Sequence, residues 1–148
     1  MIALIQRVTE ASVVIDGSIF SSIGKGLLVL VGMELNDSEP NALKLSKKIV
    51  GLRVFDDDNG LMNLCVSDIK GEILIVPNFT LAADTSRGNR PGFSTALKPA
   101  LAKPLFDSLY NEIKKQLGST KRGEFGADMK VSLINDGPIT ISLKTNNP

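Results

Sequence analysis

The sequence predicts a single α+β domain with many strands and two helices, and three observations support this prediction. Apolar or alternating segments of strand length occur near both ends of the chain, two longer segments carry apolar residues at helical spacing, and no repeat, linker or low-complexity tract interrupts them. A chain of 148 residues with 43% apolar residues can bury roughly two-thirds of its unfolded surface around one core. We expect residues 1–148 to form one domain.

The N-terminal part is predicted to consist of strands. Ile2 to Val8 and Ser12 to Ile15 have strand character, and Asp16-Gly17 is a two-residue hairpin signal that leads into a further strand, Ser18 to Ser22. The run GLLVLVG, Gly26 to Gly32, is apolar throughout. An uninterrupted apolar run of this length predicts a central strand that is buried on both faces.

A helix is predicted next. Asp37 or Ser38 can cap its start, Pro40 fits its first turn, and apolar residues recur at helical spacing as far as Gly51. Two further strands are then predicted, at Leu52 to Phe55 and at Glu72 to Val76.

The second half predicts one more helix and two closing strands. The helix should run from about Leu101 to Leu117, with Pro104 in its first turn or at a kink. The last strands are placed near Ala127 to Asn135 and Ile139 to Lys144, with the turn Asn-Asp-Gly-Pro between them. Pro138 has no N–H to donate at the point where the second strand should begin, so hairpin closure alone leaves this proline unexplained.

The composition excludes several kinds of site. The chain has no histidine and a single cysteine, Cys65, so it has neither a histidine base nor a set of thiolate and imidazole ligands for zinc. Catalysis must then use hydroxyls, carboxylates, lysines, backbone amides or groups of the substrate. We expect no metal and no cofactor. With no signal peptide and no apolar run of about 20 residues, we expect a cytoplasmic protein without a membrane partner.

The charge is uneven although the formal net charge is only +1. Residues 86–122 contain 8 Lys/Arg and 2 Asp/Glu, which makes this block about +6. A local field of this sign attracts phosphates, but a solvated helix face with a basic end explains the block equally well.

Two stretches are unusual for a purely structural role. In VPNFTLAADTSRGNRPGFS, residues 76–94, a buried strand leads into Thr80 and a loop rich in Gly, Pro and Arg. Hydroxyls and free backbone amides at a strand end are well placed for a site. Taken alone, Thr80 is more simply a strand-end hydroxyl that bonds to its own backbone. The second stretch is the Asn-Asp-Gly-Pro turn.

The sequence resembles the D-aminoacyl-tRNA deacylases along essentially its whole length. The similar segments are MIALIQRVTEASV, GLLVLVG, FTLAADT, RGNRPGFS and ADMKVSLINDGPIT, in the same order and spacing. The resemblance implies a compact, barrel-like β-sheet structure with two flanking helices. It also implies a cytoplasmic homodimer that cleaves the ester joining a D-amino acid, or glycine, to the 3′ end of tRNA, which makes D-aminoacyl-tRNA and Gly-tRNA the expected partners, with no DNA.

The resemblance also implies roles for particular residues. Phe79 and Thr80 would form the catalytic side of the pocket, and Gly137 and Pro138, joined by a cis bond, would form a chiral gate that reaches in from the partner subunit. Arg7 would hold that gate in place. Asn78 belongs to the substrate-binding wall, where the chain departs from the family by having Pro77-Asn78 in place of Ser-Gln. The basic block then supplies candidate contacts to tRNA phosphates: Arg87, Arg90, Lys98, Lys121 and Arg122.

The chemistry is compatible with a site that has no histidine, because an aminoacyl ester is already activated. Backbone N–H groups around Phe79 and Thr80 are candidate donors to the oxyanion, each contributing on the order of 3 kcal/mol. We expect Thr80 to orient the substrate, with the 2′-hydroxyl of the substrate assisting. Two other readings stay open: a dimeric binding module of the same fold with impaired catalysis, and an esterase or amidase that uses a hydroxyl nucleophile on small metabolites.

Overall fold

The computed structural model describes residues 1–145 of the chain. The helices and strands, in chain order, are β1 (Ile2–Ile15), β2 (Ser18–Ile23), β3 (Gly26–Gly32), α1 (Glu39–Gly51), β4 (Phe55–Asp56), β5 (Met62–Leu64), β6 (Glu72–Pro77), a 3₁₀ turn (Phe79–Ala82), α2 (Pro99–Gln116), β7 (Thr120–Arg122) and β8 (Lys130–Lys144).

Strand β1 organises the main sheet because it pairs along both of its edges. One edge pairs antiparallel with β3 in its first half and with β2 in its second half, and the other edge pairs antiparallel with β8. The sheet continues from β3 through β6 to β7 by parallel pairing. The resulting mixed sheet is barrel-like and nearly closed, with two flanking helices, so the predicted fold class is confirmed.

The core has two parts, one on each face of the sheet. On the helix side, Val29 and Ile75 pack in one cluster with Leu45 of α1 and Phe106 of α2. On the other face, Leu28 and its neighbours form a second cluster with partly buried residues of β8. Strand β3 contributes to both clusters, which explains why its sequence is apolar at every position rather than alternating.

In two places the sequence predicted two strands where the structure has one long strand. Residues 2–15 form one strand instead of two, and residues 130–144 also form one strand, so the Asn-Asp-Gly-Pro segment is not a hairpin turn. The two long strands pair with each other, and their register shifts between Gln6 and Val8 and again between Val8 and Glu10. The polar interruptions in each sequence correspond to these irregularities, which keep the strands paired on either side.

The other differences are local. The predicted strand Leu52 to Phe55 is reduced to Phe55–Asp56, and β5 and β7 were not predicted because each has only three residues. Helix α2 begins at Pro99, two residues before the predicted start, which puts Pro104 in the second turn. Leu101 is 61% exposed, whereas Leu105, Leu109 and Ile113 are buried.

Gly26 is expected to be essential for the contact between β3 and β6. A Cβ at this position would lie 1.8 Å from the carbonyl oxygen of Glu72. We expect Gly26→Ala to lower the free energy of unfolding by about 1–3 kcal/mol, because the two backbones must separate. Urea denaturation measures this loss. Gly51→Ala is the matched control, since a Cβ there meets nothing within 4 Å, and equal stability of the two variants would contradict the prediction.

Candidate functional site

A cavity of about 840 Å³ lies between the sheet and the N-terminal turn of α2, where Pro99 and Ala102 line it. Its other walls are mostly apolar side chains from the sheet and from the segments that follow β6 and β7, whereas the polar lining groups are few. A concave, largely apolar site with a few polar groups is the usual form of a small-molecule pocket. The lining includes Leu30, Val76, Phe93, Phe125, Met129 and Leu133 among the apolar residues, and Gln6, Asn78, Lys98 and Asp128 among the polar ones.

The 3₁₀ turn at the end of β6 presents two backbone donors beside this cavity. The N–H of Asn78 is used, because it donates to the carbonyl of Val31 at 2.7 Å. The N–H groups of Phe79 and Thr80 open the turn, where a helix has no internal acceptor for them. Within residues 1–145 neither group donates to another backbone or side-chain acceptor. Phe79 lines the cavity and Thr80 follows it directly, so these two N–H groups are candidate donors to a ligand oxygen.

The Thr80 hydroxyl is exposed and donates to the side-chain oxygen of Asn78 at 2.5 Å. An amide oxygen is an acceptor but not a general base near neutral pH. The contact therefore orients the hydroxyl without activating it as a nucleophile. It also ties together Asn78 and Thr80, two of the residues that the sequence placed in the pocket.

Pro77 is accommodated without the loss of a sheet hydrogen bond. Strand β7 pairs with β6 only as far as Ile75, and the next donor toward β3 comes from Asn78. Because alternate residues of a strand donate to opposite neighbours, the missing N–H of Pro77 faces the side where pairing has already ended. Pro77 is thus compatible with the pairing of the strand end on both sides.

Gly137 and Pro138 form a second group of candidate residues, together with Arg7. The peptide bond between Gly137 and Pro138 is cis, as the resemblance implies, and both residues are exposed. The Arg7 guanidinium, only 11% exposed, donates to the carbonyl of Asp136 at 3.1 Å and to the carbonyl of Val54 at 2.9 Å. Gly137, Pro138 and Arg7 do not belong to the lining of the cavity in their own chain. The structure therefore brings the expected site residues together as two separate groups.

The five basic residues are also divided. Arg87 and Arg90 are exposed on a loop that is closed by two backbone hydrogen bonds between Asp84 and Gly92, and Lys98 lines the cavity. The other two have acidic partners. Lys121 lies 3.7 Å from Glu72, and the Arg122 guanidinium lies 3.0 Å from Asp107, with the rings of Phe106 and Tyr110 each 5.1 Å away.

The pairing of Arg122 has an electrostatic signature at Asp107. Burial alone raises the pKa of this carboxyl, but hydrogen bonds from Lys103 and Arg122 outweigh it and the pKa is lowered. Because the pKa is lowered in the folded state, this carboxyl stabilises the fold at pH values above the ordinary pKa of aspartate. That stabilisation is lost as the pH falls through the lowered pKa. The ion pair between Arg122 of β7 and Asp107 of α2 therefore stabilises the packing of these two elements.

Phe79 was expected at the pocket, but its aromatic partner Phe93 was not. The rings of Phe79 and Phe93 meet edge to face at 5.2 Å and remain 59% and 40% exposed. Phe93 lies in the same Gly/Pro/Arg-rich stretch that drew attention to Thr80. As the one aromatic residue of the polar loop 83–95, it could have been selected from the sequence as a candidate pocket residue.

In the described part of the chain, no helix has the length and apolar character needed to cross a bilayer.

Comparisons with known proteins find matches over nearly the whole chain. The family model described as D-Tyr-tRNA(Tyr) deacylase matches residues 4–144. Proteins named D-aminoacyl-tRNA deacylase from Porphyromonas gingivalis and Flavobacterium psychrophilum are each 51% identical over 148 residues, which is 99% of this chain and 99% of the relative.

Two solved structures are similar as well. One, named c-Myc DNA unwinding element binding protein, has a TM-score of 0.95 and 39% identity, covering 99% of this chain and 100% of the other. The second, a probable eukaryotic D-amino acid tRNA deacylase, has a TM-score of 0.81 at 12% identity, covering 96% and 97%, and so shares the fold. Because one family model spans nearly the entire sequence and relatives at half identity agree with it, the chain belongs to the D-Tyr-tRNA(Tyr) deacylase family of enzymes.

Proposed function

We propose that this chain hydrolyses the ester bond between a D-amino acid, or glycine, and the 3′-terminal ribose of tRNA, and so removes mischarged residues before translation. The observation that carries the proposal is the pair of free N–H groups of Phe79 and Thr80 beside an apolar cavity. Donors of this kind stabilise the oxyanion that forms when water attacks an ester carbonyl.

Hydrolysis at this site uses position and electrostatics instead of a histidine base. The two N–H groups receive the developing negative charge, and the Thr80 hydroxyl, held by Asn78, orients the ester or the attacking water. The ribose 2′-hydroxyl next to the ester supplies the remaining assistance. Each of these roles suits an activated ester, which needs far less help than an amide.

Selectivity against L-amino acids is assigned to Gly137 and Pro138. A pocket that only favours side chains separates mirror images weakly, whereas a rigid wall in the path of the L side chain separates them strongly. Glycine and proline expose main chain with little side chain of their own. The Arg7 guanidinium, bonded to the carbonyl that precedes Gly137, is the support for this wall.

The gate is proposed to act on the pocket of a second copy in a homodimer. Two features support this assignment: Gly137 and Pro138 are exposed and outside the cavity of their own chain, and the cavity is lined by exposed apolar side chains, Phe79 and Phe93. Exposed apolar patches of this kind mark interaction surfaces. A dimer would cover them and complete two equivalent sites.

We assign contacts with the phosphate backbone of tRNA to the loop that carries Arg87 and Arg90. For the double variant Arg87→Ala/Arg90→Ala we expect weaker tRNA binding and a slope of log K against log salt that is shallower by about 1–2, since each lost phosphate contact removes about 0.7–0.9. Fluorescence anisotropy over a salt series measures the slope. Lys47→Ala/Lys48→Ala on α1 removes the same charge elsewhere and serves as the control. Equal slopes for the two double variants would contradict the assignment.

The 2′-hydroxyl of the terminal adenosine is expected to matter more than the Thr80 hydroxyl. D-Tyr-tRNA that ends in 2′-deoxyadenosine should react about 10-fold or more slowly, because an assisting group is lost. Thr80→Ala should retain measurable turnover and form no acyl-enzyme, which mass spectrometry of quenched reactions detects. Full activity on the deoxy substrate would contradict assistance by the 2′-hydroxyl, and a trapped ester on Thr80 of the wild-type protein would contradict the orienting role of Thr80.

The experiment that tests the proposed function measures release of labelled D-tyrosine from tRNA. Two substrates and one binding partner separate the competing functions. The substrates are D-Tyr-tRNA and D-tyrosine methyl ester, and the binding partner is uncharged tRNA. A deacylase releases D-tyrosine from the first and far less from the second. Binding of tRNA without release would favour the impaired module, and equal rates on the two esters would favour an esterase for small metabolites.

A further inference from the structure

The segment that carries Gly137 and Pro138 leaves the β1–β8 ladder at one place. Gln6 pairs with Thr140 and Val8 pairs with Asn135, so four residues of β8, 136–139, stand opposite Arg7 alone. A bulge of this size lacks the backbone hydrogen bonds that would otherwise fix its shape. Some other group must determine where the projecting residues lie.

The side chain of Asn135 closes the base of this bulge. Its Oδ1 accepts from the N–H of Ile139 at 3.0 Å, and its Nδ2 donates to the carbonyl of Ile139 at 3.1 Å and to Oγ1 of Thr140 at 3.2 Å. One amide thus bonds both main-chain groups of Ile139, as a paired strand residue would. The Asn135 side chain therefore closes a short loop that consists of residues 136–138.

From this geometry we infer that Asn135 is a positioning residue for Gly137 and Pro138, an inference that rests on the proposed function. The loop is held at two points: Arg7 bonds the carbonyl of Asp136 on one side, and Asn135 bonds Ile139 on the other. Gly137 and Pro138 project between these two points and are exposed. A wall that discriminates by shape must keep its place to within a fraction of an ångström, and this double attachment provides such restraint.

The amide is needed because donor and acceptor are used together. Aspartate at position 135 keeps the acceptor for the Ile139 N–H but has no donor for the Ile139 carbonyl. Its negative charge then repels the partial negative charge of that carbonyl oxygen. Alanine removes both bonds. The two variants therefore loosen the loop to different degrees, and the near-isosteric Asn135→Asp keeps the test informative if Asn135→Ala does not fold.

The test measures kcat/KM of the full-length variants on D-Tyr-tRNA and L-Tyr-tRNA, together with thermal stability. We expect Asn135→Asp and Asn135→Ala to lose about 10- to 100-fold on the D substrate and to show an L-to-D ratio at least about tenfold higher than the wild type. Asn41→Ala is the control for stability alone. The Asn41 side chain accepts from the Ser38 N–H and lies within hydrogen-bond distance of Thr145, so its loss should lower the melting temperature and leave the L-to-D ratio unchanged.

An unchanged L-to-D ratio in both Asn135 variants, with the wild type active, would overturn the inference and leave Asn135 as a stabilising residue only. A wild-type protein that hydrolyses neither substrate would instead overturn the proposed function. Amide exchange at Ile139 provides a readout without substrate. It should accelerate in Asn135→Ala at a temperature where the rest of β8 stays protected, and unchanged exchange would also contradict the inference.

Discussion

Phe79→Pro is expected to lower kcat for D-aminoacyl-tRNA hydrolysis by about 10²–10³-fold, the loss typical of removing one oxyanion donor. Proline deletes the N–H of residue 79 and nothing else of the main chain. The position tolerates it, because proline suits the first residue of a helical turn and the preceding Asn78 is outside the helical region, with φ −147° and ψ 87°. Single-turnover kinetics at saturating enzyme measures the chemical step.

Phe79→Ala is the matched control, since it removes the aromatic ring and keeps the N–H. We expect it to weaken binding through the loss of contact with Phe93, and so to act mainly on KM. The informative quantity is the ratio of kcat between the alanine and proline variants. A ratio near one would contradict the role of the Phe79 N–H as a donor to the oxyanion.

Gly137→Ala is expected to reduce kcat/KM on D-Tyr-tRNA by about 10²-fold. The residue has φ +134°, a conformation that L side chains rarely adopt, and a Cβ would lie 2.8 Å from Cγ1 and 2.9 Å from the N–H nitrogen of Ile139. Arg7 would also be crowded, at 3.3 Å. The loop must therefore move away from the position in which Arg7 and Asn135 hold it. Gly17→Ala is the control, since it has φ +79° but meets nothing within 4 Å, and near-wild-type rates for Gly137→Ala would remove the gate from this account.

Mixing the two inactive variants determines whether the gate acts across subunits. In a dimer of Phe79→Pro with Gly137→Ala chains, the intact gate of one chain reaches the intact pocket of the other only if the contact is intermolecular. About one quarter of wild-type activity should then return after random exchange, because half the dimers are mixed and each has one intact site. A mixture as inactive as its components, despite demonstrated exchange, would place gate and pocket in the same chain.

The sequence predicted the architecture of this protein better than its strand boundaries. Burial of β3 on both faces, the α1 helix with its start at Ser38, and the Asp16-Gly17 hairpin all follow from local residue patterns, and each is present. The uninterrupted strands β1 and β8 were missed because pairing between residues 116 to 142 positions apart overrides local polar breaks such as Thr9-Glu10.

The candidate site was predictable in its residue types but not in its connections. Thr80 and the Gly137-Pro138 pair stand out as unusual residues in a strand context. Phe79, and the roles expected of all four residues, came only from the resemblance to the family. The role of Asn135 was not identified, because its amide bonds Ile139 across a bulge that appears only when β1 and β8 are paired. Likewise, the engagement of Arg122 by Asp107 and two aromatic rings depends on how β7 packs on α2.

We propose that this chain deacylates tRNA with selection by chirality and without a metal. The most direct measurement compares initial rates of hydrolysis of D-Tyr-tRNA, L-Tyr-tRNA and Gly-tRNA by the wild-type protein in the presence of EDTA. We expect rapid hydrolysis of D-Tyr-tRNA and Gly-tRNA and a rate on L-Tyr-tRNA close to that of the uncatalysed reaction. Comparable rates on the D and L substrates, or the loss of all activity in EDTA, would contradict it.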